Sequence, residues 1–537
     1  MSRRQNIHCT SAPLLCRRGG RGGVTFLLSA LVLFTLFCGC SSGDDEIIPT
    51  PSVVPTNQYL QLNIVVSTGS GITRGVPAGG ENGDGREAGF ERENAVTGIT
   101  LMLYEDAAGI NTSADTKLAF VRYYPVTYVS RETQGNTYSG KTDEAVYTTG
   151  SQPLSGTGLD LSKVYHAIIV ANANMVGTFT TDSKVKDARD YQMTHLYTGS
   201  GLDADAERFV MSSETDYTIN FPATSPDASN TYHFDGIRIE RMAARIDFST
   251  QYDYYTDPGT WTSQSYGAVY STTDKSSNSY AYPGYVYPVY KSTDVDGKPS
   301  SNDRFVVTAV VPFNVSLTNT GCKEFLIKRT DDASDCYLAD ESTTNWVIDP
   351  QRAGKTSSTE HPSYLDYNLT TLTTTLSAVD PHAAMAALAN YKTMASYQTS
   401  SAKYSLTVSG SNTADNMIVA YPKENTLLPA TPLYYYATGL AIEGYYYAND
   451  DATATPTRYV YVGYLRHQGE STSAYPIIEA GSLDKSAVSS PSIAMNFGVV
   501  RNNIYRVNIS KINEKGEMEL KIKVKKWDTF IHDLIYM

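Results

Sequence analysis

The chain has 537 residues, with 43 Lys and Arg against 56 Asp and Glu, for a formal net charge of −13 at pH 7. So acidic a protein repels a phosphate backbone, which excludes nucleic acid as a partner. Sparse charge (18%), 41 tyrosines, 39 glycines and abundant Thr and Ser give the composition of an exported, β-rich protein.

The chain opens with a basic segment (Arg3, Arg4, Arg17, Arg18, Arg21) that leads into an apolar run from Val24 to Phe37. Those fourteen residues are too few to cross a bilayer but suit the core of an export signal. The run ends Leu36-Phe37-Cys38-Gly39-Cys40, followed by Ser-Ser-Gly-Asp-Asp-Glu. A small residue just before a cysteine resembles a bacterial lipobox, with Gly39 making Cys40 the acceptor. The acidic run Ser41 to Glu46 resembles the surface-export signal of Bacteroidetes lipoproteins. The plainer alternative is an ordinary secretory signal with incidental cysteines. Loss of residues 1–39 removes five arginines and no acids, taking the net charge from −13 to −18; loss of Cys40 to Arg74 as well leaves −16. Of six cysteines only Cys322 and Cys336 lie beyond Cys40. In an oxidising compartment they can form a disulfide, or they stay free.

In Tyr59 to Val66, Leu60, Leu62, Ile64 and Val66 alternate with Gln61 and Asn63, the period of a half-buried strand. The residues that follow, Ser67 to Gly75, have the small, polar composition of an exposed loop, where proteases cut. A cut after Arg74 would separate the leader and this first strand from everything downstream. About 460 residues follow Arg74, enough for two or more domains.

A polar stretch from Gly75 to Glu93 precedes strands at Ile99 to Leu103 and Leu118 to Val129. Val164 to Ala171 is nearly continuous in apolar residues, as in a central strand covered on both faces. Val185, Ala188, Gln192 and Leu196 predict a helix over Lys184 to Leu196. Strands at Phe209 to Ser213, Tyr217 to Phe221 and Ile237 to Phe248 complete a first domain, 75–250. Gln251 to Tyr290, rich in Tyr, Ser, Thr, Gly and Pro, reads as a linker or as long hairpins of a second domain, 251–514. That domain has strands at Phe305 to Val311, Tyr404 to Val408, Met417 to Tyr421, Leu433 to Ala441 and Tyr459 to Leu465, and a short helix within Pro381 to Met394. Gly498 to Ser510 reads as a turn into a strand, and Lys515-Gly516 turns the chain into a closing segment, 515–537. There Met518, Leu520, Ile522 and Val524 alternate with charged residues, in the same period as Leu60 to Val66. The two strands are plausible replacements for one another.

Four features together resemble the fimbrillin family of Bacteroidales, the shaft subunits of type V pili, and most of all the minor (short) fimbria subunits. They are the lipobox with its acidic follow-on, the strand-then-arginine segment ending at Arg74, Ile239-Glu-Arg-Met-Ala-Ala-Arg-Ile-Asp-Phe248, and Val499-Val-Arg-Asn-Asn-Ile-Tyr-Arg-Val507. The last is the most specific. The resemblance implies a mainly β protein with two β-sandwich (transthyretin-like) domains and one or two short helices. It implies a signal peptide over 1–39, lipidation at Cys40, and removal of 40–74 by an arginine-specific protease cutting between Arg74 and Gly75. The groove left by Leu60, Leu62, Ile64 and Val66 is then filled by a C-terminal strand of the next subunit. On this chain that donor is Met518, Leu520, Ile522 and Val524, or alternatively Phe530 to Tyr536. The chain departs from the family in ending soon after Trp527, without a long proline- and aspartate-rich tail. The partners implied are copies of itself, anchor and tip subunits, the protease, and host proteins or other bacteria. The place implied is the outer membrane through a lipid, then the fimbrium at the cell surface.

No chemistry competes strongly. Beyond His8, the histidines His166, His195, His233, His361, His382, His467 and His532 are scattered without metal-ligand spacing, so no metal or cofactor is expected. Gly-x-Ser-x-Gly, Walker-type and dinucleotide fingerprints are absent, and no catalytic residue is assigned. Asp294-Val-Asp296-Gly297 and Asp203 to Glu207 lack a full calcium-ligand series and read as turns. The first rival reading is a non-polymerising surface lipoprotein that binds glycans or host proteins through Tyr434–Tyr436 and Tyr445–Tyr447. The second is a lipoprotein hydrolase with paired carboxylates.

Overall fold

The computed structural model describes residues 57–66, 86–105, 115–129, 145–189, 191–193, 196–198, 207–213, 216–250, 269–270, 282–294, 299–313, 315, 324–325, 337–339, 345–347, 391–409, 412–424, 438–465, 472–476, 499–513 and 518–528. The chain is mainly β, and two large sheets carry its architecture. Across the first, the strands run Leu118–Pro125, Gly98–Glu105, Val164–Ala171, Met211–Ser213, Thr231–Arg241, Tyr59–Val66, Val146–Thr148 and Thr127–Val129. Its two end strands are separated in sequence by Val126 alone. The sheet therefore curls until its opposite edges approach, wrapping a core that contains Ile99, Leu101, Leu103, Ile168 and Ile239.

The second sheet follows the path Val269–Tyr270, Gly284–Pro288, Arg304–Phe313, Gly439–Tyr447, Thr457–Tyr464, Thr472–Pro476, Met518–Asp528, Asn503–Ile512, Arg245–Ser249, Asn412–Ala420 and Lys403–Ser409. Thr472–Pro476 links its two halves, pairing with Thr457–Tyr464 on one edge and Met518–Asp528 on the other. The halves face each other: the Tyr285 hydroxyl near one end of the path donates to the Asp415 carboxylate near the other, at 3.1 Å. Arg304–Phe313, apolar from Phe305 to Phe313 except for Thr308, is buried along its whole length, as a strand covered on both faces must be.

Ile237 to Phe248, expected as one strand, is divided between the sheets. Thr231–Arg241 ends in the first and Arg245–Ser249 begins in the second. The crossing is Met242-Ala243-Ala244, fully buried, where small side chains let the backbone pass between layers. Its polar groups are satisfied by both sides: Met242 N donates to Val210 O, Ala244 N to Pro422 O, and Ala243 O accepts from Asn502 N. The chain thus changes sheet ahead of residue 250. Arg86–Ala88, expected as loop, joins the second sheet, pairing in parallel with Lys526–Asp528.

The helix expected over Lys184 to Leu196 spans only Val185–Arg189. Val185, Ala188 and Leu196 are buried as the spacing required. After Tyr191, however, Gln192–Met193 pairs antiparallel with Glu324–Phe325, so a tertiary strand partner overrides the helical period. The short helix Met394–Gln398 starts where the expected one ends, capped by the Thr393 hydroxyl, which accepts from Ser396 N. Of the Tyr-rich stretch to Tyr290, Val269–Tyr270 and Gly284–Pro288 form an antiparallel pair in the second sheet.

Candidate functional site

The opening strand, Tyr59–Val66, lies in the interior of the first sheet. On one edge it runs parallel to Thr231–Arg241, from Tyr59 opposite Thr231 to Val66 opposite Ile239. The partner carries an extra residue between Leu62 and Ile64, at Asp235-Gly236, where Gly236 adopts φ +73° as a bulge of this kind requires. On the other edge it is antiparallel to Val146–Thr148 and to Gln152–Pro153. Val66 N donates to Ala145 O, Leu62 O accepts from Thr149 N, and Leu62 N donates to Thr149 Oγ1 at 3.0 Å. Leu60, Leu62, Ile64 and Val66 are at most 2% exposed. At about 1.5–3 kcal/mol each, their burial contributes roughly 6–12 kcal/mol before ordering costs. Each ladder hydrogen bond adds about 1 kcal/mol net. A parallel partner cannot be reached through a hairpin. The strand is therefore continuous with the body only through residues 67–85, which contain Arg74.

The closing strand, Met518–Asp528, belongs to the second sheet. Along Met518 to Lys526 it pairs antiparallel with Asn503–Ile512. Its other edge is taken by Thr472–Pro476 at Met518–Leu520 and by Arg86–Ala88 at Lys526–Asp528. Met518, Leu520, Ile522 and Val524 are at most 1% exposed. This expected donor is thus an inner strand of its own sheet. Cys40, Arg74, Gly75, Cys322, Cys336 and Phe530 to Tyr536 lie outside the described residues.

Between the two sheets sits a buried polar cluster whose arginines come from two of the segments that carry the family resemblance, Ile239–Phe248 and Val499–Val507. Arg245, fully buried, donates from Nε to Asp247 Oδ1 at 3.0 Å and from Nη1 to Glu93 Oε2 at 3.1 Å. Its Nη2 donates to Asp247 Oδ2 at 2.8 Å and to Glu87 Oε1 at 2.9 Å. Arg241 donates to Glu93 O, Asn502 Oδ1, Trp527 O and the Asn94 side chain, and its guanidinium lies 4.6 Å over the Trp527 ring. Arg506 bonds Glu87 and the Tyr404 hydroxyl. The Glu93 carboxylate also accepts from Tyr421 OH, Phe90 N and Trp527 Nε1. Burial raises the Glu87 carboxyl, but Arg245, Arg506, Lys525 and the Tyr404 hydroxyl more than offset this and hold it below 4.5. For Asp247, burial wins and the carboxyl is pushed up despite Arg245 and Arg506. Burial and the neighbouring carboxylates keep Tyr404 and Tyr421 protonated as donors. A second motif cation, Arg501, pairs with buried Glu424 at 2.6 Å. Sequence reasoning took the motifs as a signature and missed this role; the available signal was arginine inside otherwise apolar strand segments, where an unpaired charge is costly.

Of the residues weighed for other chemistry, His166, His233, Asp294 and Tyr445–Tyr447 are among the described residues, and His195, His361, His382, His467 and His532 are not. His166 stacks on Tyr104 at 5.3 Å, and His233 Nε2 lies 2.9 Å from Asp227. Asp294 caps a turn, accepting from Lys291 N and Ser300 N. Tyr445 and Tyr447 are 9% and 0% exposed, and Tyr446 donates to Asp303, so this run is committed to its own sheet. Tyr434–Tyr436 lie outside the described residues. Among the described residues, no group of three His, Cys, Asp or Glu could hold a metal ion.

No family model matches the sequence, and no curated protein does. Among solved structures, the chain is similar to a C-terminally truncated tip fimbrial protein from Porphyromonas gingivalis, at 9% identity over 88% of this chain and 99% of that one, with a TM-score of 0.35. It is also similar to a fimbrial assembly protein from Parabacteroides distasonis (10% identity, 86% and 98% covered, TM-score 0.32). A fimbrilin from Porphyromonas gingivalis is similar at 13% identity, with 89% and 100% covered and a TM-score of 0.29. All three are fimbrial proteins.

Proposed function

We propose that this chain is a structural subunit of a cell-surface fimbrium rather than an enzyme. It is exported as an outer-membrane lipoprotein with its lipid on Cys40, cut between Arg74 and Gly75 by an arginine-specific protease, and polymerised by strand exchange. The filament, built with anchor and tip subunits, supports adhesion to host proteins or other bacteria and biofilm formation. The observation that carries this reading is the position of Tyr59–Val66: an opening strand, interior to its sheet and apolar on its buried face, joined to the body only through the stretch that holds Arg74. Its loss would leave an apolar groove between Thr231–Arg241 and Val146–Thr148, with two unpaired ladders of backbone groups. Such a groove is filled by an added strand. Because giver and receiver surfaces differ, the contact is head-to-tail and propagates a filament.

The donor is the segment after Lys515. Use of Met518–Val524 requires that strand to leave both of its neighbours, whereas use of Phe530 to Tyr536 leaves Met518–Asp528 in its own sheet. A chain ended before Glu517 loses an inner strand and is expected to misfold, so the informative truncation ends after Asp528. If that chain still polymerises, Phe530 to Tyr536 is not the donor. N-terminal sequencing of protein sheared from cells tests the scheme as a whole. A start at Gly75 supports it; a lipidated Cys40 on every copy overturns it.

A further inference from the structure

Between the opening strand and Asn94, the chain offers an arginine-specific protease three bonds, after Arg74, Arg86 and Arg92, and no lysine intervenes. The last two lie in ordered, paired structure. Arg86–Ala88 is a strand hydrogen-bonded to Lys526–Asp528, and Arg92 sits in the one-turn helix Glu91–Asn94 with its guanidinium 4.6 Å over the Phe90 ring. A protease needs an extended, released backbone, and neither site presents one: the backbone at Arg86 is paired and that at Arg92 is helical.

The same segment supplies most of the negative charge of the buried cluster. Arg245 and Arg506 face Glu87, Glu93 and Asp247, while Arg241 donates to the Glu93 carbonyl, and two of those three carboxylates come from Arg86–Asn94. Tyr404, Tyr421 and the Trp527 indole donate or bridge to them as well. A cut after Arg92 would release Glu87 with its strand and leave Arg245 and Arg506 short of a partner in a buried site.

Building on the processing scheme above, we propose that the Glu87–Glu93 cluster is a retention clamp. It holds Arg86–Asn94 on the closing strand and withholds Arg86 and Arg92 from the processing protease, so that maturation severs the opening strand alone and the body keeps both acids.

The test is limited digestion of the purified full chain with an arginine-specific protease, with each cut timed by mass spectrometry. Hydrogen exchange of Arg86–Asn94 is followed before and after cutting. Among the three bonds between the opening strand and Asn94, the expected result is a fast cut after Arg74, slow cuts after Arg86 and Arg92, and amide protection over Arg86–Asn94 that survives the Arg74 cut. In Glu87→Gln and Glu93→Gln, the Arg86 and Arg92 cuts should accelerate roughly tenfold or more while the Arg74 rate is unchanged, because cleavage tracks local opening. Wild-type chain cut at Arg86 or Arg92 as fast as at Arg74 overturns the clamp, as do variants with unchanged rates at both sites. If a variant fails to fold, the wild-type cut order and exchange pattern decide alone. Should Arg74 resist while Arg86 and Arg92 are protected only in the wild type, the clamp stands and the processing scheme falls.

Discussion

The indole N–H of Trp527 donates to the carboxylate of Glu93 at 3.1 Å, across 434 positions of sequence. Both groups are fully buried, and the ring also lies parallel to Tyr421 (15°, centroids 5.9 Å) and beneath Arg241. One contact thus ties the segment after the expected processing site to the strand Met518–Asp528.

Truncating that ring should be costly. Trp527→Ala removes a large buried aromatic and is expected to destabilise the chain by about 3–5 kcal/mol. Trp527→Phe keeps most of the packing but strands a Glu93 acceptor, for about 1–3 kcal/mol. Urea unfolding of the three chains measures both, and a Trp527→Phe chain as stable as wild type would mean the hydrogen bond contributes nothing.

Arg245 serves three carboxylates at once through its planar fork, a geometry an ammonium cannot reproduce. Arg245→Ala leaves buried acids without their cation and is expected to cost about 3–5 kcal/mol. Arg245→Lys should recover only part of this. Full recovery by lysine, again read from urea unfolding, would show that charge rather than fork geometry matters there.

Substitutions in the opening strand should matter only while that strand is present. Leu62→Ala and Ile64→Ala each create a cavity in the first core and should cost about 2–5 kcal/mol in the uncut chain. Once the chain has been cut after Arg74 and the strand separated, thermal unfolding of variant and wild-type bodies should coincide. A difference that persists means the strand stays bound after the cut.

Acid should loosen the fold in a defined window. Glu87 is lowered from 4.5, its burial being outweighed by Arg245, Arg506 and Lys525. Asp415 and Asp303 are lowered too, burial being outweighed by Lys403 and Ser405 at the first and by Asn449 N–H and Tyr446 at the second. A carboxyl depressed in the folded state adds stability above its unfolded value and forfeits it as pH falls through the folded one. Asp247, raised by burial, acts in the opposite sense. The urea midpoint should therefore hold steady from about pH 7 to 5 and decline below about 4.5. A midpoint that rises below 4.5 would assign control to Asp247 instead.

Much of the fold was legible in local pattern. Alternation at Leu60–Val66 and Met518–Val524, and the apolar run Val164 to Ala171, give strands because a strand's side chains point to opposite faces in turn, whatever the strand pairs with. The helix over Lys184 to Leu196 was over-extended because a distant partner strand, Glu324–Phe325, competes with a weak local preference. Arg86–Ala88 carried no apolar alternation at all; its pairing is specified by the strand it joins.

The amino-acid order by itself determined that this is a β-rich chain with an opening and a closing strand of matching period, and that an arginine in a polar stretch separates the leader and the opening strand from everything downstream. Only the tertiary structure decided that the opening strand lies inside its sheet, that the closing strand is flanked on both edges, and that Glu87, Glu93 and Asp247 meet Arg241, Arg245 and Arg506. The reason is physical. Which face of a strand is apolar depends on residues two apart, whereas the cost of a buried charge depends on partners that the chain must bring together from its two ends.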